Sequence, residues 1–571
     1  MTDAASVLAR RPSFLKASAY AGYEPALSIG FVAVAVVLAC LVLALPGRSV
    51  LTIYTQDVMV YLDGAHRLLS GEVPNRDFHT PLGPLAYVLP AIGLHVSGTL
   101  GGAMPAATVA FAVLVAPILA YVCVSRLPLA LTFVVSSYLI LLAVAPNNPG
   151  EPGGLISYAM FYNRFCWVAL SLLFLLYIPP KKAVPSRRWN VPDIVCGTAL
   201  LLVMFYMKVS YAAVGVFFMA CLCLYPRTSR FAVSALALSI LLIAGIELAV
   251  WHSTLAYVAD IALAAKASSL VREGISSLFR AAIMNIQALL LFLLIVGICS
   301  WKGARRVDLL AYAFMVGSGL VILNQNFELI QNYQSFEVIT LVPAAAISIC
   351  MARRRESRAE LRGNPYLAAG VLIFVLAAPY MINAGYALVM HARYGLASAK
   401  ASDEVESLGN IVVREKIVGD LTDADGLRAL YRQGSADLQQ IGVLRTLRPR
   451  QNIYQTEYVR TVRDGMDLLA SDPNLAGKVL VLDLSNPFSA LLNRDPPRGD
   501  SSWFHYQRTF SEQANLPPDT LFADVSVVME PKDPVDATTS QKLISLYGRY
   551  LQSNYVQVAE STYWRALVRT R

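Results

Sequence analysis

Charge is scarce in this chain: 15% of its 571 residues are Asp, Glu, Lys or Arg, against 56% hydrophobic. Soluble domains carry about a quarter. That shortage excludes a protein that is soluble throughout, and the uncharged blocks between Leu27 and Met390 belong in a bilayer. Cysteine is missing from the last third. All of Cys40, Cys123, Cys166, Cys196, Cys221, Cys223, Cys299 and Cys350 lie in or beside apolar segments, which leaves no disulfide framework and no Cys-built zinc site. No Gly-rich phosphate loop and no internal repeat is present. The net charge of +9 gathers in short loops, so a nucleic-acid partner is not indicated.

What is present is a series of apolar spans. They begin near Leu27, Pro105, Leu127, Phe165, Asp193, Ala212, Phe231, Ala282, Asp308, Val338 and Pro365, about eleven in all, most close to the ~20 residues a bilayer requires. The first is too long for a signal-peptide core and no small-residue cleavage site follows it, so it reads as a retained helix. Basic residues cluster at Arg10/Arg11/Lys16, Arg126, Lys181/Lys182/Arg187/Arg188, Arg227/Arg230, Lys302/Arg305/Arg306 and Arg353/Arg354/Arg355/Arg358. All of these reach the cytoplasm if Leu82–Ser97 lies along the interface instead of spanning. The N-terminus is then cytoplasmic. The loop holding Asp57, the loops Pro146–Tyr162 and Asn324–Phe336, the segment His252–Arg280 and everything after His391 face outward.

The expected fold class is a polytopic α-helical membrane protein with a C-terminal soluble α/β domain. The membrane part covers residues 1–392 and the soluble part 393–571. In the latter, Lys478–Asp483 and Asp524–Met529 read as buried strands. Val459–Leu469 and Ser540–Gln552 have helical spacing, and Tyr555–Thr570 reads as a hairpin.

Chemistry is concentrated in the first outward loop, Tyr54–Leu85, with Asp57, Asp63, Asp77, His66, His79 and a Pro/Gly-rich exit. Val58, Tyr61, Leu62, Ala65, Leu68 and Leu69 share one helical face, which predicts an amphipathic helix on the membrane with Asp57 at its start. Asp57 suits a helix cap, because its charge complements the N-terminal dipole. It equally suits a general base near the headgroups. Lys208 interrupts an otherwise uncharged apolar stretch. Counted from Asp193 it lies ~23 Å along a helix, at the outer edge of the hydrocarbon, where a lysine either meets an anionic headgroup or snorkels. Arg164, in Tyr162-Asn163-Arg164, is an outward basic residue suited to bidentate phosphate contact or to anchoring beside an aromatic belt. Gln325 and Asn326 sit in an amide- and aromatic-rich loop of the kind that binds sugars or caps helices. His66 and His79 beside Asp77 are poorly spaced for a metal, so no cofactor is indicated. Asp260, Lys266 and Arg272 fit a solvated interfacial helix.

Together these residues resemble a family. The pattern Asp57…Gly71-Glu72…Asp77-Phe78…Pro81…Tyr87, with Met207-Lys208 and Tyr162-Asn163-Arg164, resembles the GT-C glycosyltransferases that use polyprenyl-phosphate sugars. Protein O-mannosyltransferases and lipid A aminoarabinose transferases are the members it resembles, and Tyr162-Asn163-Arg164 is similar to a motif of bacterial family-39-like members. The resemblance covers residues from about 27 to 390. It departs where Val58 follows Asp57 in place of a second acidic residue, and where His79-Thr80-Pro81 replaces a glutamate before the proline.

The resemblance implies an inverting transferase at the outer face of a bacterial cytoplasmic membrane. Its donor is a polyprenyl-phosphate-linked sugar, and its acceptor a glycan, glycolipid or protein. Asp57 is implied as catalytic base, Asp77 as a second carboxylate, and Lys208 and Arg164 as donor-phosphate ligands. His79, Tyr162, Asn163, Gln325 and Asn326 are candidate substrate contacts. A transporter, an O-antigen ligase or polymerase, and a non-catalytic assembly factor are the competing readings.

Overall fold

The computed structural model is mostly helical, with small sheets in its C-terminal region. It describes residues 23–181, 191–224, 228–268, 306–325, 365–397, 405–414 and 455–570, together with isolated helical positions between 276 and 349.

Among the described residues, three helices are long and apolar enough to cross a membrane. They are α1 (Glu24–Ala44), a later helix Leu100–Arg126, and the stretch Ser229–Trp251. Shorter apolar helices stand near most of the other expected starts. The segments expected from Ala282 and Val338 lie largely outside the described residues. Apolar side chains cover the outside of these helices: Ile240 and Leu241 are exposed by 66% and 68%. A contiguous apolar exterior of this kind suits lipid.

A short strand, β1 (Val50–Leu51), leads from α1 to α2 (Thr55–Leu69). Helices α3 (Leu85–Ser97) and α4 (Leu100–Arg126) then pack as a tight pair. Gly98 ends α3 with φ 65, and Thr99 caps α4 by accepting from Gly102 N at 3.1 Å. After α5 (Leu129–Val144) and α6 (Phe161–Leu175) comes the segment that holds Lys208. It is two helices, as the separate span starts near Asp193 and Ala212 predict. α7 (Val191–Met207) stops at Lys208, whose backbone is extended, and α8 (Val209–Cys223) begins directly after it. α9 (Ser229–Ile246) ends in a π-helical turn that leads to α10 (Thr254–Ala267). α11 (Arg306–Gln325) and α12 (Pro365–Leu396) complete the described helices before the C-terminal region.

The two ends of α7 differ. At its start, Asp193 pairs with Arg126 and accepts from Tyr121 Oη at 2.7 Å, and both charged groups are fully buried. Arg126 is therefore spent on a helix-to-helix ion pair as well as adding to the basic cluster. At the other end, ~25 Å away, the first loop closes over the helix break. Gly83 N donates to Met207 O at 3.1 Å. A Cβ on Gly83 would lie 2.3 Å from Tyr206 O, so only glycine allows that approach.

The strands and helices read from the sequence of the C-terminal region all form. α13 (Gln455–Ser471), β4 (Val479–Val481), β5 (Val527–Pro531), α14 (Ala537–Asn554) and the hairpin β6 (Tyr555–Glu560)–β7 (Trp564–Arg569) build a sheet of order β4-β5-β7-β6. The β4–β5 pair is parallel and the rest antiparallel. A second sheet joins the two parts of the chain. β2 (Val405–Leu408) and β3 (Ile411–Arg414) form a hairpin, and β3 pairs in parallel with β1, just before the first loop.

This docking changes the environment of α2. Val58, Tyr61, Leu62 and Ala65 of its expected apolar face are buried, Leu69 is exposed by 54%, and its polar face is covered by the C-terminal region instead of by water. Thr55 N donates to Gln455 Oε1 at 2.8 Å, and His66 Nε2 lies 2.8 Å from Arg494 O. Arg67, fully buried, holds Asp500 with two bonds of 2.8 Å, Asp63 at 2.7 Å and Pro497 O at 2.7 Å. Such a fork is the geometry in which Arg binds a carboxylate best.

Candidate functional site

Asp57 sits in the first turn of α2, half-buried. It is not the helix cap. That position belongs to Tyr54, at φ 57, and no side chain caps the helix. The Asp57 carboxylate accepts no hydrogen bond from the described residues. Burial pushes its pKa up to about 6, and the opposing charge of Arg508, from the C-terminal region, holds it back. Tyr54 feels Glu151, Asp57 and Arg508 together, which places all three at one corner. Burial pushes Glu151 up to about 7, opposed mainly by its bond from Asn148 Nδ2 at 3.3 Å.

Lys208 reaches this neighbourhood through aromatic rings. Its ammonium donates to Asn163 Oδ1 at 3.1 Å and lies 5.0 Å from the centre of the Tyr162 ring, a cation–π arrangement. Tyr162 meets Tyr61 edge-on with centroids 6.1 Å apart. Tyr61 lies one helical turn after Asp57 and feels its charge, and its hydroxyl accepts from Met160 N at 2.9 Å. Asp57, Tyr61, Tyr162, Asn163 and Lys208 thus form one run of neighbours, built by α2, the start of α6 and the α7–α8 break.

The other expected site residues fall in different places. Arg164 is 1% exposed. It donates to Ala145 O, while its Nε and Nη2 have no hydrogen-bond partner. Asp77 accepts from Val73 N at 2.8 Å and from Arg76 Nη2 at 2.9 Å. Burial would raise its pKa, but the Arg76 and Val73 bonds outweigh it and hold the carboxyl below its usual range. These contacts tie Asp77 into its own turn, which also bonds the C-terminal region through Gly499 N to Asp77 O at 2.7 Å. His79 places Nδ1 2.6 Å from Asp260 Oδ1. Gln325 ends α11, and Asn326 lies outside the described residues. No cluster of His, Cys, Asp and Glu among the described residues could hold a metal ion.

Sequence reading missed several groups. Asp260 is not solvated: it is 6% exposed, and its second oxygen accepts from Asn75 Nδ2 at 2.9 Å and Thr80 N at 3.0 Å. A signal did exist, since Tyr257 and Asp260 share a helical face and both are buried. Glu151 and Arg508 gave none, being single charges in irregular segments. Arg67 and Asp500 are 433 residues apart, beyond any local pattern.

Comparison of the chain with protein-family models, with curated proteins and with solved structures yields no match.

Proposed function

We propose that the protein is an inverting glycosyltransferase of the GT-C type, taking its sugar from a polyprenyl-phosphate donor at the outer face of a bacterial cytoplasmic membrane. One observation carries the reading: Asp57, whose carboxylate accepts no hydrogen bond from the described residues, shares a run of neighbouring side chains with the Lys208 ammonium at a helix break. The topology that goes with it has about eleven spans, the N-terminus inside and the C-terminal region outside.

In this reading Lys208 takes the donor phosphate, and Arg164, buried within reach of Glu151 and Tyr61, adds a fixed positive charge to the site. An acceptor hydroxyl oxygen attacks the anomeric carbon. Its proton passes to Asp57, and the electron pair of the breaking C–O bond stays with the polyprenyl phosphate. A hydroxyl ionises only as it attacks, so the base acts within the transition state, a contribution of about 10²–10⁴-fold. A fixed cation beside the leaving phosphate adds an electrostatic term of similar size. With Asp57 near pH 6, the base is ionised at neutral pH yet basic enough to accept a proton. Arg508 opposite it makes the C-terminal region part of the site, beyond a cap over it.

The test is release of polyprenyl phosphate from a labelled lipid-linked sugar by purified protein. Release by the native protein and its loss in Asp57→Asn are expected. An intact donor under all conditions, as a transporter would leave it, defeats the reading.

A further inference from the structure

A second polar centre lies across one turn of chain from Asp57. His79 Nδ1 is bound to Asp260 Oδ1, and Asp260 is fixed by Asn75 and Thr80. A carboxylate held this way orients an imidazole and places the ring proton on Nδ1, leaving Nε2 as the acceptor of the neutral ring. The ring keeps 29% exposure and borders a cleft between the first loop, α10 and the C-terminal region. Phe504, Phe510 and Tyr547 form apolar walls of that cleft, and Thr509 adds a hydroxyl. The open space is about 20 Å³, room for one hydroxyl-sized group and too little for a whole sugar ring.

The turn Tyr506–Phe510 connects the two centres. It is closed by Gln507 N to Phe510 O at 2.8 Å, with Gln507 at φ 61. It directs Arg508 towards Asp57 and sets Thr509 and Phe510 in the cleft wall. A left-handed residue without a glycine is a strained choice, and such strain gathers at functional positions.

We propose that this cleft is a carbohydrate subsite in which His79 Nε2 accepts a hydrogen bond from one hydroxyl of the acceptor, while Phe504, Phe510 and Tyr547 exclude water around it. Its assignment to the acceptor rests on the transferase reading. The sugar identity of the hydroxyl rests on it too, whereas the capacity of His79 Nε2 to accept from a hydroxyl rests on the His79–Asp260 bond alone.

The test uses the full chain in nanodiscs, with histidines labelled by heavy nitrogen. The His79 signal is assigned by its loss in His79→Gln. Methyl α-mannoside, methyl α-glucoside and methyl β-galactoside are the probes, with inorganic phosphate as the counter-probe. Saturable displacement of the His79 Nε2 resonance by at least one glycoside, and none by phosphate, is expected. His79→Gln should then raise the acceptor KM about tenfold, the worth of one hydrogen bond, with kcat little changed. In Asp260→Asn the amide donates to Nδ1 and the ring proton moves to Nε2, which can only donate to a glycoside hydroxyl, so the native Nε2 displacement is not reproduced. Displacement by phosphate alone, or by none of the glycosides, overturns the proposal. A retained glycoside response with no polyprenyl phosphate release would end the transferase reading and leave the subsite standing.

Discussion

The two ends of α2 hold acidic groups in opposite circumstances. Near its end, Asp63 is buried against Arg67, and Arg67 also takes Asp500 and, at 3.3 Å, Glu72. Near its start, Asp57 is half-buried and accepts no hydrogen bond from the described residues. One end is a fastening between two parts of the chain. The other leaves a carboxylate unbonded among the described residues, facing the charge of Arg508 from the C-terminal region. A buried charge is tolerated when it is paired and becomes a functional candidate when it is not. The contrast separates stability from activity along a single helix, and each half is open to experiment.

The largest effect belongs to the fastened end. Arg67→Ala strands three buried acidic groups, a loss of about 3–5 kcal/mol. Thermal unfolding should show it, and a variant of native stability would dissolve the distinction.

At the open end the expected loss is in rate. Asp57→Asn should lower transfer by about two orders of magnitude with an unchanged unfolding temperature. Activity of the native protein should rise with pH through about 6, as the carboxyl whose pKa burial has raised gives up its proton. A fall in stability with no fall in turnover would reverse the roles of the two ends.

Lys208→Ala sharpens the comparison on the donor side. Losing one charged hydrogen bond costs about 1.5–3 kcal/mol, read as at least a tenfold weaker apparent donor affinity. An unchanged donor KM would detach Lys208 from Asp57.

The smallest effect concerns Glu72. Burial raises its pKa to about 8, against the pull of Arg67. The folded protein therefore holds this proton more tightly than the unfolded chain does. Its contribution is fully present below pH about 4.5, the ordinary glutamate value, and fades as pH rises towards about 8. Glu72→Gln should flatten the decline of unfolding temperature over that window. An unaltered slope would remove Glu72 from the fastening.

Much of the architecture was legible. Apolar length marked α1, α4 and α9, and alternation and helical spacing marked β4, β5, α13, α14 and the final hairpin. The break at Lys208 was legible only coarsely: separate spans were expected from Asp193 and Ala212, and the extended backbone of Lys208 itself fixes where they divide. The site was half legible. Asp57, Lys208 and Tyr162-Asn163 stood out as polar groups beside apolar runs. Arg508, Glu151 and Asp260 did not, because each takes its meaning from a neighbour distant in the chain.

Local sequence pattern settled that much of this chain is apolar helix and that its end is a small α/β unit, because those outcomes follow from local period and from the cost of taking backbone polar groups out of water. Which charges would be tied and which left available was decided only by the folded arrangement. The C-terminal region lies over the first loop, and that contact gives Arg67 its carboxylate, sets Arg508 opposite Asp57 and brings the C-terminal wall of the cleft up to His79. Coulomb interaction depends on distance and on the medium between the groups, and neither quantity is written in the order of the residues.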